Sequence, residues 1–300
     1  MKKQNEEPLK EQNEEQTEAQ PSKGMRVYRV LRFILIPVIL IVIGYSAYRV
    51  ISIFTEYHES EVAYEAITNE FLIAPRTPHP DDVPYVPGEP GQAQPYDPSA
   101  SADPSATFEP GQADALYAPI GVDFERLKAV NDECVGWIYI PDTNVNFPVM
   151  RANNNSKYLK RLLDGTKNSA GSIFMDYRCD PDLTDRNIIL YGHNMSSGVM
   201  FSQLKKYKDK AFFLAHQTAY YLTPDADYEL TIIVCKTVSA TGDAYTVYED
   251  DAALVKYLKE SKRHAHVTVP YEPTEIERIF TLSTCTSGGQ KRLVLLAIPR

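Results

Sequence analysis

Cysteine is scarce in this 300-residue chain, and the four present, Cys134, Cys179, Cys235 and Cys285, form no C-x-x-C pair. Zinc ribbons and dithiol redox sites need such close pairs, so both classes are set aside. Sparse, irregularly spaced thiols in a domain of this size are expected to be free and buried. A basic stripe is missing too: Asp and Glu outnumber Lys and Arg, 40 against 31, for a formal charge of −9. Phosphate backbones are held by clustered cations, so no nucleic-acid partner is expected. Internal repeats are not visible, and no grouping of residues calls for a metal or another cofactor.

Charge is absent from Phe33 to Tyr48, and Arg49 is followed by a second apolar stretch to Phe54. The run is apolar all round, so residues 25–54 are expected to form a transmembrane signal anchor, with 33–54 in the lipid bilayer. Arg32 and Arg49 can snorkel and extend the usable length. Lys23, Arg26, Arg29 and Arg32 precede the span, whereas Glu56, Glu59 and Glu61 follow it. The positive-inside rule then predicts a single-pass protein of the cell membrane with a cytoplasmic N-terminus. A cleaved signal peptide would show a shorter basic region and a small-x-small site, and neither is evident. Residues 1–24, rich in Glu, Gln, Asn and Lys, cannot bury enough surface to offset chain entropy and are expected to be a disordered cytoplasmic tail. Residues 55–74 are assigned to a juxtamembrane segment. The proline-punctuated stretch 75–119 is assigned to an extracellular linker, which at ~3.1 Å per residue could reach on the order of 100 Å.

From about residue 120 to 300 short apolar runs alternate with turn residues. Candidate strands are Trp137–Ile140, Val145–Met150, Ser172–Asp176, Asn187–Tyr191, Ala219–Thr223, Tyr228–Val238, His266–Val269, Arg278–Cys285 and Lys291–Ile298, a count that suits a β-barrel or sandwich. Helical periodicity marks Asp123–Asn131, behind an Asp123 cap, and Asp250–Lys262.

Arg278 to Arg300 reads as two strands around Gly288-Gly289, a dipeptide suited to the positive φ angles of a tight hairpin turn. With that turn, Ser287 faces Gln290, Thr286 faces Lys291 and Cys285 faces Arg292, directly opposed residues having Cβ atoms ~5 Å apart. A guanidinium beside a thiol lowers the thiol pKa and can stabilise a developing oxyanion. Two readings stay open on the hairpin alone: a reactive pair, or a buried cysteine next to a surface arginine. Acyl transfer also needs a group that moves protons. Of the six histidines, His58 lies by the membrane, His79 in the linker, and His216, His264 and His266 in polar surroundings. His193 follows the apolar strand NIILY and opens the loop GHNMSSG.

TLSTC followed by KRLVLL, together with YGHNM, resembles the signature set of sortases. VGWIYI, FPVM, SKYL, GSIFMD and MFSQL are similar to class B members, in matching order across 120–300. The resemblance implies a mainly β fold: a closed β-barrel of about eight strands with N-terminal helices and a helix in a late inter-strand loop, preceded by the one transmembrane helix. It implies an extracellular cysteine transpeptidase with Cys285 as nucleophile, His193 as proton-transfer partner and Arg292 as oxyanion stabiliser. Asn194, Tyr245, Ser283 and Thr284 would border the substrate. The partners implied are secreted proteins bearing a sorting motif, and an amine of cell-wall peptide or a pilin as acceptor. Two departures are visible: the Cys285–Arg292 loop is short, and Thr286 stands where some relatives carry an acid. An L,D-transpeptidase would need a histidine almost adjacent to its cysteine, which Cys285 lacks. A non-catalytic surface or pilus-assembly module is the other alternative.

Overall fold

The structure, a computed structural model, describes residues 23–75, 118–195, 197–285 and 290–300. The expected disordered tail, almost all of the Pro-rich linker, and the turn residues Thr286 to Gly289 therefore lie outside the described residues. Helix α1 (Lys23–Phe71) runs for 49 residues. It is shared by two compact units, residues 1–54 and residues 55–300. In the first unit the side chains from Leu31 to Phe54 are almost all exposed and mostly apolar. The helix is long and apolar enough to cross a membrane, as an N-terminal anchor would be.

The second unit begins at Thr55. Ser60, Tyr64 and Phe71 are buried, and they fall at helical spacing among Glu59, Glu61, Glu65 and Glu70. The Tyr64 hydroxyl donates to the Gly171 carbonyl, and its ring meets Phe147 edge-on at 5.3 Å. Ser60 Oγ donates to Asn168 Oδ1 at 2.7 Å. The juxtamembrane segment is thus largely helical, and its narrow apolar stripe packs into the core of the second unit. Strand β1 (Leu72–Ile73) then pairs antiparallel with β2 (Gly121–Val122). Helix α2 (Phe124–Val130) follows, with the Asp123 carboxylate accepting from Arg126 N at 3.0 Å. That bond satisfies one of the N–H groups a helix start leaves unpaired.

The barrel consists of β3 (Cys134–Tyr139), β4 (Asn146–Met150), β5 (Ile173–Met175), β6 (Asn187–Gly192), β7 (Thr218–Leu222), β8 (Asp227–Ser239), β10 (Ile279–Cys285) and β11 (Lys291–Pro299), with β9 (Ala265–Thr268) attached to β8. The order β11-β10-β6-β5-β4-β3-β7-β8 closes because β8 also pairs with β11, giving a ring of eight strands. Closure is possible because β8 has 13 residues, enough to pair with β7 at one end and β11 along most of its length. Helix α3 (Lys210–Ala215) and the preceding 3-10 helix Phe201–Lys208 were not evident in the sequence pattern. Helix α4 (Asp251–Arg263) sits between β8 and β9, in the late inter-strand position expected, with Asp250 as its cap.

The apolar runs of β10 and β11 are continuous because both faces are covered. Phe280, Leu282, Leu293, Leu295 and Ala297 fill the barrel interior. Ile279, Val294 and Leu296 pack outward against Leu254 and Leu258 of α4. Full burial of each such side chain contributes about 1.5–3 kcal/mol, so sliding this hairpin would forfeit many kcal/mol. Its register is accordingly well determined.

Candidate active site

Strand register builds the floor of the site. β6 runs parallel to β10, with Ser283 beside Tyr191 and Thr284 beside Gly192. β10 runs antiparallel to β11, with Cys285 opposite Arg292. His193 follows Gly192 just past the end of β6, as Cys285 follows Gly192's partner Thr284, so the chain carries His193, Cys285 and Arg292 to a row at the same end of three neighbouring strands. Neighbouring strands lie ~4.8 Å apart. No other order of these strands would produce that row.

His193 is held in place by its surroundings. A Cβ on Gly192 would lie 2.5 Å from Ile173 Cδ1 and 2.7 Å from the Phe201 ring, so only glycine lets β6 lie this close to the helix that follows. The His193 carbonyl accepts from Phe201 N at 3.0 Å, and Asn194 bridges to Met200 at the loop's base. His193 Nε2 lies 2.8 Å from the Leu159 carbonyl in the 3-10 helix Lys157–Lys160. A carbonyl can only accept, so Nε2 is the donor in this contact and Nδ1 is left for other partners.

A groove of about 390 Å³ opens over this row, lined among others by His193, Arg292, Tyr245, Ser283, Thr284 and Leu159. Tyr245 closes one side: its hydroxyl and Ser283 Oγ are 2.9 Å apart, and its ring stacks on Tyr191 at 5.9 Å. Thr284 Oγ1 is buried without a hydrogen-bond partner among the described residues. Asn194 does not line the groove, since its bridge to Met200 places it in the neighbouring loop. Sequence reasoning passed over Asn155, Leu159, Asp176, Arg178 and Tyr191, which all line it. The only available signal was that they fall in or beside SKYL, GSIFMD and YGHNM.

Cys134, Cys179 and Cys235 are free and buried, and burial pushes each thiol up to about 12. All three are poor nucleophiles at neutral pH, because the thiolate is the reactive form. No group of His, Cys, Asp or Glu side chains suited to a metal is found among the described residues.

Comparison with known proteins identifies the architecture. A family model described as the sortase domain matches residues 138–299. The chain belongs to the sortase family. Sortase B of Listeria monocytogenes is 37% identical over 166 residues, covering 54% of this chain and 67% of that protein. Sortase B of Staphylococcus aureus is 33% identical over 178 residues, covering 58% and 73% respectively. Among solved structures, a Staphylococcus aureus sortase B–substrate complex superposes with a TM-score of 0.55 at 30% identity, covering 59% of this chain and 84% of that one. Clostridium perfringens sortase B gives a TM-score of 0.54 at 28% identity, over 59% and 99%. These relatives place the chain in sortase class B, a group of cysteine transpeptidases, and the eight-stranded ring with its flanking helices is the sortase B architecture.

Proposed function

We propose that this sortase is anchored in the membrane through residues 33–54, with its N-terminus in the cytoplasm and residues 55–300 outside the cell. In this reading it cleaves a C-terminal sorting motif of secreted proteins and transfers the new acyl end to an amine of cell-wall peptide or of a pilin. The observation that carries it is the pairing of β6, β10 and β11, which sets Cys285 opposite Arg292 and Thr284 beside Gly192, the residue before His193.

The Cys285 thiol passes its proton to His193 Nδ1 and, as the thiolate, attacks the carbonyl of a threonine in the motif; the peptide C–N bond breaks and a thioester forms. His193 delivers a proton to the leaving amine and later takes one from the incoming amine, whose attack releases the thiolate. Nδ1 is the nitrogen suited to this exchange, because Nε2–H is engaged by the Leu159 carbonyl. Arg292 and a backbone N–H hold the oxyanion in both steps. Tyr245, Ser283 and Thr284 contact the bound peptide from the side and floor of the groove. A panel of sorting peptides, offered with glycine-based and lysine-based amines, tests the reading by mass spectrometry. An acyl-enzyme adduct on Cys285 and an amine-dependent product are expected; an adduct on another residue would overturn it.

A further inference from the structure

Two residues that line the groove, Asp176 and Arg178, have no part in the acyl transfer described above, yet they bond to several pieces of its wall. Asp176 is completely buried. Its Oδ1 accepts from Arg178 Nε at 2.9 Å and from Arg178 N at 3.0 Å. Its Oδ2 accepts from Arg178 Nη2 at 2.7 Å, the Tyr191 hydroxyl at 2.8 Å and Asn155 Nδ2 at 3.0 Å. One carboxylate thus ties together the loop before the 3-10 helix, strand β6 and the turn after β5. Burial works against its charge, but the bonds from Arg178, Tyr191 and Asn155 outweigh it and hold the carboxyl below the usual range.

Arg178 carries the connection across the groove. Its Nη2 also donates to the Tyr245 carbonyl at 2.9 Å. On either side of that carbonyl, Asn187 Nδ2 donates to Ala244 O at 3.1 Å and Thr246 O at 2.9 Å. Three successive carbonyls of this turn are therefore held by side chains instead of a strand ladder. The Tyr191 ring, oriented by its bond to Asp176, stacks on the Tyr245 ring. Both ends of Tyr245 are fixed, its backbone by Arg178 and its hydroxyl at Ser283.

We infer that Asp176 and Arg178 form a positioning pair that fixes the width of the groove by holding Tyr245 against Tyr191, and so sets affinity for the sorting peptide instead of the rate of acyl transfer. The inference rests on the sortase reading above. Lysine cannot replace Arg178, because serving both carboxylate oxygens and a carbonyl needs the planar fork.

The test uses the full chain in detergent with a fluorogenic peptide carrying the motif that the wild-type chain cleaves fastest. Single loss of Arg178 would strand a buried carboxylate, so the variants are Arg178→Lys and the charge-neutral pair Asp176→Asn/Arg178→Gln. KM is expected to rise about tenfold in both, within the range of coupled neighbours, while kcat per titrated active site stays within about twofold. In a Tyr245→Ala background the same changes should add less than about twofold, because the residue they position is gone. Hydrogen exchange at residues 243–246 should quicken about tenfold while β10 keeps its protection. Unchanged KM with unchanged exchange overturns the inference, and so does an equal KM effect in the Tyr245→Ala background. Cleavage of no peptide by the wild-type chain would instead overturn the sortase reading, and exchange would still decide whether the pair holds Tyr245.

Discussion

The floor and the wall of the groove are built on different principles. The floor, β6, β10 and β11, is held by backbone ladders with apolar side chains buried on both faces. The wall, Asn155, the turn at Tyr177–Arg178 and the turn at 244–246, is held by side chains bonding to backbone and carboxylate groups. Ladders place residues with little tolerance, which suits groups that must meet reacting atoms. Side-chain clamps hold loops that can differ in sequence and length while the floor stays the same. In the proposed function, chemistry belongs to the floor and recognition to the wall.

The largest effect is expected at the floor. Cys285→Ala should lower peptide cleavage by at least ~10³-fold with folding unchanged, measured by product formation and thermal melting. Replacing Cys134, Cys179 or Cys235 should leave cleavage in place. A thiol-reactive probe at neutral pH should label Cys285 alone, because the other three thiols are buried and displaced to about 12.

Arg292→Ala should come next, with acylation slowed about a hundred- to a thousandfold and peptide affinity less affected. Arg292→Lys should recover part of the rate. Lys291→Ala should be nearly silent, since Lys291 projects from the opposite face of β11. Equal damage from Lys291→Ala and Arg292→Ala in stopped-flow acylation would dissolve the proposed row.

A floor residue whose side chain holds the wall should behave differently. Asn187→Ala removes donors to Ala244 and Thr246 and the acceptor of Thr281 Oγ1, leaving buried polar groups unpaired at a cost of about 1–3 kcal/mol each. Denaturant unfolding should show lower stability, and KM should rise more than kcat falls. A fall in kcat alone would blur the distinction between wall and floor.

The smallest effect concerns acid. Folding lowers the Asp176 pKa from its ordinary 3.8, so the ionised group stabilises the native state above that value. This contribution is lost as the pH falls below 3.8 toward the lower native value. Stability measured against pH should drop less steeply there in Asp176→Asn, and an identical slope would show that the network is energetically idle.

How much was legible follows the same division. The strands of the hairpin and the opposition of Cys285 to Arg292 could be derived from period and pairing, because antiparallel pairing across a short connection is a local property. Likewise an uncharged apolar run declares its suitability for lipid without reference to the rest of the chain. The placement of His193 at the same strand end as Cys285 could not be derived this way. It depends on β6 and β10 pairing in parallel across about ninety residues, and motif resemblance anticipated the partnership without its geometry. The burial of the last turns of α1 is not legible in the sequence, because their stripe of Ser60, Tyr64 and Phe71 is too narrow, among so many glutamates, to announce it. Asp176 and Arg178 went unnoticed because a charged pair two residues apart looks like solvated surface until the fold removes water from the carboxylate and brings Tyr191, Asn155 and Tyr245 to it. Sequence alone determined what neighbours along the chain can settle: the long apolar helix, the strands and the hairpin register. Only the closed barrel decided which distant residues share a row and a wall, because those contacts exist once the ring is complete and long-range pairing has excluded water from its seams.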